Sequence, residues 1–214
     1  NLPNIEEVNV AEYRILSDDG VTAMARACPN LRILDVALCL TLTNDAIIQV
    51  GRNCRCLTSL NATYCKQLTD AAFDTLNPAT LTALDLSHSS VTGRFAAHIL
   101  GPGSVLHNLN VINCSNLKAE FANSITNTCL EKLQLSDTPL SKRDWLTLSS
   151  KLAKIKYIEA ASCPGLSDAA VVRIVRSAPV RYFGVFDCSV SDEVVAQYSC
   201  VRNTYPPSYA ESEM

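Results

Sequence analysis

Two groups of residues in the sequence could carry chemistry. The first is Asp85 with His88, which have Ser87 and Ser89 beside them, so the residue types of a nucleophilic triad occur together. A working triad also needs an oxyanion hole and a substrate pocket, and nothing in the neighbouring sequence predicts either. We therefore interpret these four residues as polar surface positions and predict no catalytic residue.

The second group is Cys54 and Cys56, which could supply half of a zinc site. A structural zinc site takes four ligands, and no second pair with suitable spacing is present. The seven glycines form no phosphate-binding loop, and Gly101 and Gly103 are predicted to lie in a connection between repeats. The sequence therefore predicts no metal and no cofactor, and we expect that the chain is not an enzyme.

The cysteines instead follow an internal repeat. Residues 28–44 and 54–70 match at an offset of 26 residues, and each stretch has leucines three residues apart followed by a cysteine. A period of this length is typical of a solenoid. The pattern recurs in eight copies, whose central apolar residues are Val8, Leu34, Leu60, Leu84, Leu109, Leu133, Ile158 and Phe183.

Each copy predicts a short strand, a turn and a helix. Apolar residues alternate with polar ones in the first part of the copy, which places them on one face of a strand. Pairs such as Ser17-Asp18 and Thr43-Asn44 come next and are typical of helix N-caps. Apolar residues at helical spacing follow, so stacked copies would bury one continuous core.

This pattern resembles the cysteine-containing class of leucine-rich repeats, best known from F-box proteins that select substrates for ubiquitin ligases. The residues that carry the resemblance run from Cys28 to Cys39 with Leu42-Thr43, recur over 54–70, and return with gaps over 155–168. The resemblance covers residues 2 to about 198. It implies an α/β solenoid of about eight repeats, with a parallel sheet on the concave face and helices on the convex face. It also implies a substrate receptor or adaptor of a ubiquitin ligase.

The composition favours an intracellular protein, cytoplasmic or nuclear. The 214 residues contain no apolar run long enough for a membrane span and begin without a signal-peptide pattern. We divide the chain into a solenoid over residues 1–198 and a C-terminal cap with a flexible tail over 199–214. Buried, reduced thiols are expected at the cysteine position of the repeat, which holds Cys39, Cys65, Cys114, Cys163 and Cys188.

Residues that flank the buried strand positions are expected to point outward onto the concave face. The net charge is −3, and the outward rows contain one lysine, Lys132. We therefore expect a protein partner with a basic or amphipathic segment, and neither nucleic acid nor a membrane. The alternative is that an exposed sheet simply carries small polar residues. The central outward row reads Asn9, Asp35, Asn61, Asp85, Asn110, Gln134, Glu159 and Gly184.

The last two copies add aromatic residues to this face. Tyr157, Tyr182 and Phe186 are expected to lie beside Glu159 and Asp187. Exposed aromatic residues near acids are typical of a binding hot spot for a protein. The alternative is that a C-terminal segment folds back and covers them.

The tail contains Pro206, Pro207 and Tyr209 in the Pro-Pro-x-Tyr pattern that WW domains bind, so a WW domain is a second expected partner. Two functions are consistent with the whole sequence. The first is a receptor or adaptor that binds one protein on the concave face. The second is a structural scaffold that uses the helical face or the N-terminal edge, where Ile5, Val8 and Val10 would be covered by another domain or chain.

Overall fold

One parallel sheet organises the molecule, which is described here by a computed structural model over residues 2–126 and 129–204. Its nine strands pair in chain order, each with the next one along the sequence. The predicted leucine-rich repeat solenoid is confirmed. The strands are β1 (Glu7–Asn9), β2 (Ile33–Asp35), β3 (Ser59–Asn61), β4 (Ala83–Asp85), β5 (Asn108–Asn110), β6 (Lys132–Gln134), β7 (Tyr157–Glu159), β8 (Tyr182–Gly184) and β9 (Val201–Arg202).

The register of the strands follows the predicted repeat frame. Val8 pairs with Leu34, Leu34 pairs with Leu60, and the same position continues to Phe183 on β8. Leu34 and Phe183 are fully buried, and both belong to one continuous apolar core. Because side chains alternate along a strand, the residues on either side of this buried row share the opposite, concave face.

Helices connect most strands on the convex side. They are α1 (Asp18–Ala27), α2 (Asn44–Asn53), α3 (Ala96–Ile99), α4 (Ala119–Ser124), α5 (Lys142–Ser149), α6 (Asp168–Ser177) and α7 (Asp192–Gln197). The third repeat departs from the prediction, because it contains only a 3₁₀ helix over Asp70–Phe73. Leu60 and Leu84 are 24 residues apart, against 26 for Leu34 and Leu60. Leu109 and Leu133 have the same 24-residue spacing and enclose α4, so repeat length alone does not explain the 3₁₀ helix. Among the described residues, no helix is long and apolar enough to cross a bilayer.

The cysteines of the repeat position are structural. The thiol of Cys65 donates to the Val36 carbonyl of the preceding repeat at 3.2 Å, and the thiol of Cys163 donates to the Leu135 carbonyl at the same distance. Burial raises the pKa of Cys65 to about 12. All ten cysteines are unbridged. The prediction of buried, reduced thiols at this position is confirmed, although Cys188 is only half-buried.

The predicted capping pairs divide their work between neighbouring repeats. Thr43 caps α2 by accepting from the Asp45 amide, while Asp18 accepts from the Thr43 amide and hydroxyl. Asp70 reaches the next repeat in the same way, since it accepts from the Thr92, Gly93 and Phe95 amides. Thr43 therefore caps its own helix, while Asp18 and Asp70 tie one repeat to the next. Thr69 and Ser167 also precede a helix but make no side-chain cap bond.

The ninth strand lies beyond the eight predicted copies. Val201 is buried against Phe183, and Arg202 pairs with Gly184. This is the place where the sequence predicts a cap on the last repeat, although the division of the chain at residue 198 stays a prediction. The WW-type motif of Pro206, Pro207 and Tyr209 lies outside the described residues.

Candidate functional site

The predicted central row lies in register across the concave face, from Asn9 on β1 to Gly184 on β8. In the first five repeats its side chains fold back onto the chain. The Ala37 amide donates to Asp35 Oδ1 at 2.9 Å, and the Ser87 amide donates to Asp85 Oδ1 at 2.9 Å. Short Asp and Asn side chains form such turns readily. Each turn leads into a residue with positive φ, as at Leu38 (φ 60).

The same side chains also join neighbouring strands. The Asn61 amide group donates to Asp35 Oδ2 at 3.1 Å, and the Asn110 amide group donates to Asp85 Oδ2 at 2.9 Å. Each aspartate thus accepts both from its own turn and from the next repeat. We call Asp35, Asn61, Asp85 and Asn110 the Asx ladder. The alternation of acid and amide in the ladder is explained by these bonds, so its composition follows from the fold.

A shallow groove of about 230 Å³ lies over the middle of the Asx ladder. Asn61, Asp85, Asn110 and Gln134 line it, with Lys132 at one end. The structure therefore brings four predicted site residues together. The Gln134 carbonyl accepts from the Val111 amide, but its side chain makes no hydrogen bond within residues 2–126 and 129–204. The ladder side chains, in contrast, are held in place.

The seventh repeat breaks the pattern of the ladder. Glu159 occupies the ladder position on β7, but its longer side chain does not return to the turn that follows. The Ala161 amide, which is the equivalent donor, bonds instead to Ser136 Oγ of the sixth repeat at 3.0 Å. Ser136 is completely buried. A serine one repeat away thus takes over the structural work and leaves the Glu159 carboxylate for another role.

Two tyrosines stack above this position. Tyr157 and Tyr182 pair in register on β7 and β8, and their ring centroids are 4.6 Å apart with an interplanar angle of 11°. Lys132 Nζ lies 5.2 Å from the Tyr157 ring centroid. This distance is within the range of a cation–π contact. Lys132, Tyr157 and Tyr182 occupy one outward row, so Tyr157 lies between the ammonium and the second ring.

The Glu159 side chain is 0% exposed, which differs from the exposed acid expected in the outward row. The Tyr157 hydroxyl donates to Glu159 Oε2 at 3.0 Å. Glu159 Oε1 and the Tyr182 hydroxyl form no well-aligned hydrogen bond, although the hydroxyl lies close enough to lower the pKa of Glu159. Burial raises the pKa of Glu159, and the tyrosine hydroxyls and the Lys132 charge oppose that shift. Burial and the Glu159 charge in turn raise the pKa of Tyr182 to about 12.

Gly184 makes room for this carboxylate. It is the residue in register with Glu159 on β8, and a Cβ atom at Gly184 would lie 2.2 Å from Glu159 Oε1. The same Cβ would lie 3.0 Å from the Tyr182 hydroxyl. We call Tyr157, Glu159, Tyr182 and Gly184 the tyrosine–glutamate cluster.

Two further predicted residues of this region, Phe186 and Asp187, follow β8. Phe186 is half-buried in the next outward row, and Asp187 is exposed in the turn after β8, where it has positive φ. The Ser162 hydroxyl donates to Asp187 at 3.4 Å. Sequence analysis missed Arg202, which extends the central row on β9, because this short strand follows no leucine pattern.

The triad residue types do not form a triad. The Ser87 hydroxyl donates to Asp85 at 2.6 Å as part of the ladder, and the His88 ring stacks on Tyr64 at 3.9 Å. Within the described ranges, no group of three or more acidic, cysteine or histidine residues could hold a metal ion.

No protein-family model matches the sequence, and no curated protein matches it. Among solved structures, a chain in the TLR13–ssRNA13 complex matches with a TM-score of 0.63 and 16% identity, over 94% of this chain and 29% of that chain. A chain in the yeast complex of Rad7 and Elc1 matches with a TM-score of 0.45 and 14% identity, over 93% of this chain and 68% of that chain. TLR13 is a leucine-rich repeat protein, and at this identity the likeness supports the fold alone.

Proposed function

We propose that the chain is a non-catalytic interaction module that binds a partner protein on its concave face. The observation that carries this proposal is the tyrosine–glutamate cluster. Folding does not require Glu159 for its turn, since Ser136 supplies the acceptor, yet Glu159 is a buried carboxylate with one oxygen that forms no well-aligned hydrogen bond. Burying such a group costs free energy, so its presence favours a functional role.

The partner is a protein with a basic or amphipathic segment. The concave strands carry Asp35, Asp85 and Glu159 near their centre, while Lys132 lies over a tyrosine ring. Arg202 is at the far end of the row and points back, since its guanidinium donates to the Val201 carbonyl at 3.2 Å. This balance favours positive charge on the partner and disfavours a polyanion such as nucleic acid.

Within this function, the finer role is a substrate receptor or adaptor of a ubiquitin ligase in the cytoplasm or nucleus. Cysteine thiols that bond to the preceding repeat support the resemblance to the cysteine-containing class, whose F-box members have that role. Ten unbridged cysteines favour a reducing compartment. The Pro206, Pro207 and Tyr209 motif remains a proposed WW-domain ligand.

The test is affinity purification of the full-length protein, followed by crosslinking with a reagent that joins carboxylates to lysines. We expect crosslinks from Asp35 or Asp85 to the partner, and loss of the partner from a Tyr157→Ala/Tyr182→Ala variant. Crosslinks confined to the helical face, with the partner retained by that variant, would refute concave-face binding.

A scaffold role through the N-terminal edge is the second candidate, and one observation favours it. Every large apolar side chain that is exposed in the described residues lies in the first two repeats, with Ile15 the most exposed at 78%. A Tyr13→Ser/Ile15→Ser variant is the matched probe of this surface. Loss of the partner from this variant, but not from the tyrosine variant, would select the scaffold role.

A further inference from the structure

Three features of the tyrosine–glutamate cluster leave a place for a positive charge. Glu159 has no cationic side chain within ion-pair distance, since the ion pair found in the described residues joins Lys156 to Glu131 at 2.7 Å. Its Oε1 atom and the neighbouring Tyr182 hydroxyl form no well-aligned hydrogen bond, although the hydroxyl lies close enough to lower the pKa of Glu159. A buried carboxylate with neither a cation nor a full set of donors is attracted strongly to a nearby positive charge, because the interior screens weakly.

The row of stacked groups shows where that charge would lie. The Lys132 ammonium lies over Tyr157, and Tyr157 stacks against Tyr182. Among the described residues, no ring or cation is stacked on the other face of Tyr182. Arg202 on β9 acts electrostatically on Tyr182, but its guanidinium is bonded to the Ser199 and Val201 carbonyls. β9 is the next strand on that side. Its Val201 and Arg202 pair with Phe183 and Gly184, the two residues that follow Tyr182 on β8.

The Tyr157 hydrogen bond strengthens the attraction of these rings for a cation. The hydroxyl donates to Glu159 Oε2 at 3.0 Å, which draws negative charge toward the phenol. A ring with more negative charge on its face attracts a cation more strongly. The carboxylate thus acts through the tyrosine without contacting the ligand.

We propose that the tyrosine–glutamate cluster binds an arginine side chain of the partner, whose guanidinium continues the stack on Tyr182. The inference rests on the concave-face binding proposed above and names its chemistry. A planar guanidinium suits the parallel rings, since it stacks on an aromatic face and donates from its edge. A lysine ammonium is a compact, strongly hydrated charge and lacks that flat surface.

The test uses pentapeptides with one central arginine, citrulline or lysine between glycines, added to the full chain with ¹³C-labelled tyrosine rings. Tyr157→Phe and Tyr182→Phe identify the two ring signals. We expect saturable shifts of both signals with the arginine peptide and none with the uncharged citrulline peptide. We also expect the lysine peptide to bind more weakly.

Glu159→Gln should lower the affinity for the arginine peptide about threefold to tenfold, which is the range for a cation on an aromatic face. Glu193→Gln is the matched control, because Glu193 is an exposed acid on α7. Glu193→Gln should bind the arginine peptide with an affinity within about twofold of that of the unmodified chain, as for other exposed charges. The unfolding curve of Glu159→Gln confirms that the variant is folded.

Equal binding of the arginine and citrulline peptides, or an unchanged affinity in Glu159→Gln, would overturn the inference. Shifts confined to other tyrosine rings, with the Tyr157 and Tyr182 signals unmoved, would also overturn it while leaving concave-face binding intact. A refutation of concave-face binding itself would come from the crosslinking experiment.

Discussion

The Asx ladder and the tyrosine–glutamate cluster occupy the same rows of one sheet but differ in what their side chains do. In the ladder, Asp85 accepts from its own turn and from Asn110 of the next strand. In the cluster, Glu159 accepts neither from its own turn nor from the next strand, and it lies buried under two tyrosines. One additional methylene separates the two acids. The comparison shows that polar residues in a repeat row can be structural in one half and available for binding in the other.

The largest expected effect tests the structural half. Asp85→Ala removes the acceptor of the Ser87 amide, the Ser87 hydroxyl and the Asn110 amide group. We expect a loss of about 2–3 kcal/mol in the free energy of unfolding, as for bonds to a charged group. Urea titration measures it. Gln134→Ala is the matched control in the same row and should change the free energy by less than about 0.5 kcal/mol. Equal losses in Asp85→Ala and Gln134→Ala would contradict the claim that the ladder side chains stabilise the fold more than Gln134 does.

Gly184→Ala tests how tightly the cluster is built. The added Cβ would lie 2.2 Å from Glu159 Oε1, so the carboxylate must move. We expect a loss of about 1–3 kcal/mol, which is typical of overpacking a buried site. The second change Glu159→Ala should restore most of that loss, because it removes the clashing atom. Additive losses in the double variant would show that Gly184 serves a different purpose.

Ser136→Ala tests the exchange of roles between the two regions. Without the hydroxyl, the Ala161 amide has no acceptor, since Glu159 does not reach it. We expect a loss of about 1–2 kcal/mol, the cost of a buried donor left without a partner. Ser115→Ala, at an exposed serine, is the control. A neutral result for Ser136→Ala would mean that the turn finds another acceptor.

The pH dependence of stability distinguishes the two acids at a smaller energy. Burial raises the pKa of Glu159 in the folded chain, so between the ordinary glutamate pKa and the raised value the folded state binds more protons than the unfolded state. The free energy of unfolding of the chain therefore falls as pH rises from the ordinary glutamate pKa to the raised value. Glu159→Gln lacks this titration. We expect the variant to gain about 1 kcal/mol over the unmodified chain near neutral pH, and less in acid. The groups that act on the carboxylate or are acted on by it stay unchanged in the comparison: Lys132, Tyr157, Tyr182 and Cys188. Arg202, which acts on Tyr182, also stays unchanged.

The sequence predicted the frame of the molecule because the frame is periodic. The buried row from Val8 to Phe183, its register and the inward cysteines follow from spacing alone. The α-helix expected in the third repeat was wrong, since Asp70–Phe73 form a 3₁₀ helix. Phe73 is buried in the 3₁₀ helix, so its apolar side chain did not distinguish the two kinds of helix.

The sequence did not predict that the concave row divides into the Asx ladder and the tyrosine–glutamate cluster. Asp85 and Glu159 hold equivalent places in the pattern, and only side-chain length separates a turn-forming acid from one that cannot reach its turn. Two signals were present, however. Gly184 is the only position of the eight-copy row without a side chain. Ser136 is a hydroxyl residue in the sixth copy, which precedes the copy of Glu159. Arg202 could not be predicted, because two residues carry no period.

The same carboxylate-to-amide change at two positions of one row tests the account most directly. In Asp85→Asn, the new amide group faces the Asn110 amide group, so two donors oppose each other. In Glu159→Gln, the new amide group lies beside the Tyr182 hydroxyl, and no charge remains buried. We predict changes of opposite sign in the free energy of unfolding near neutral pH, a loss of about 1 kcal/mol for the first and a similar gain for the second. A loss in both variants would contradict the claim that one half of the row holds the fold and the other half is kept for binding.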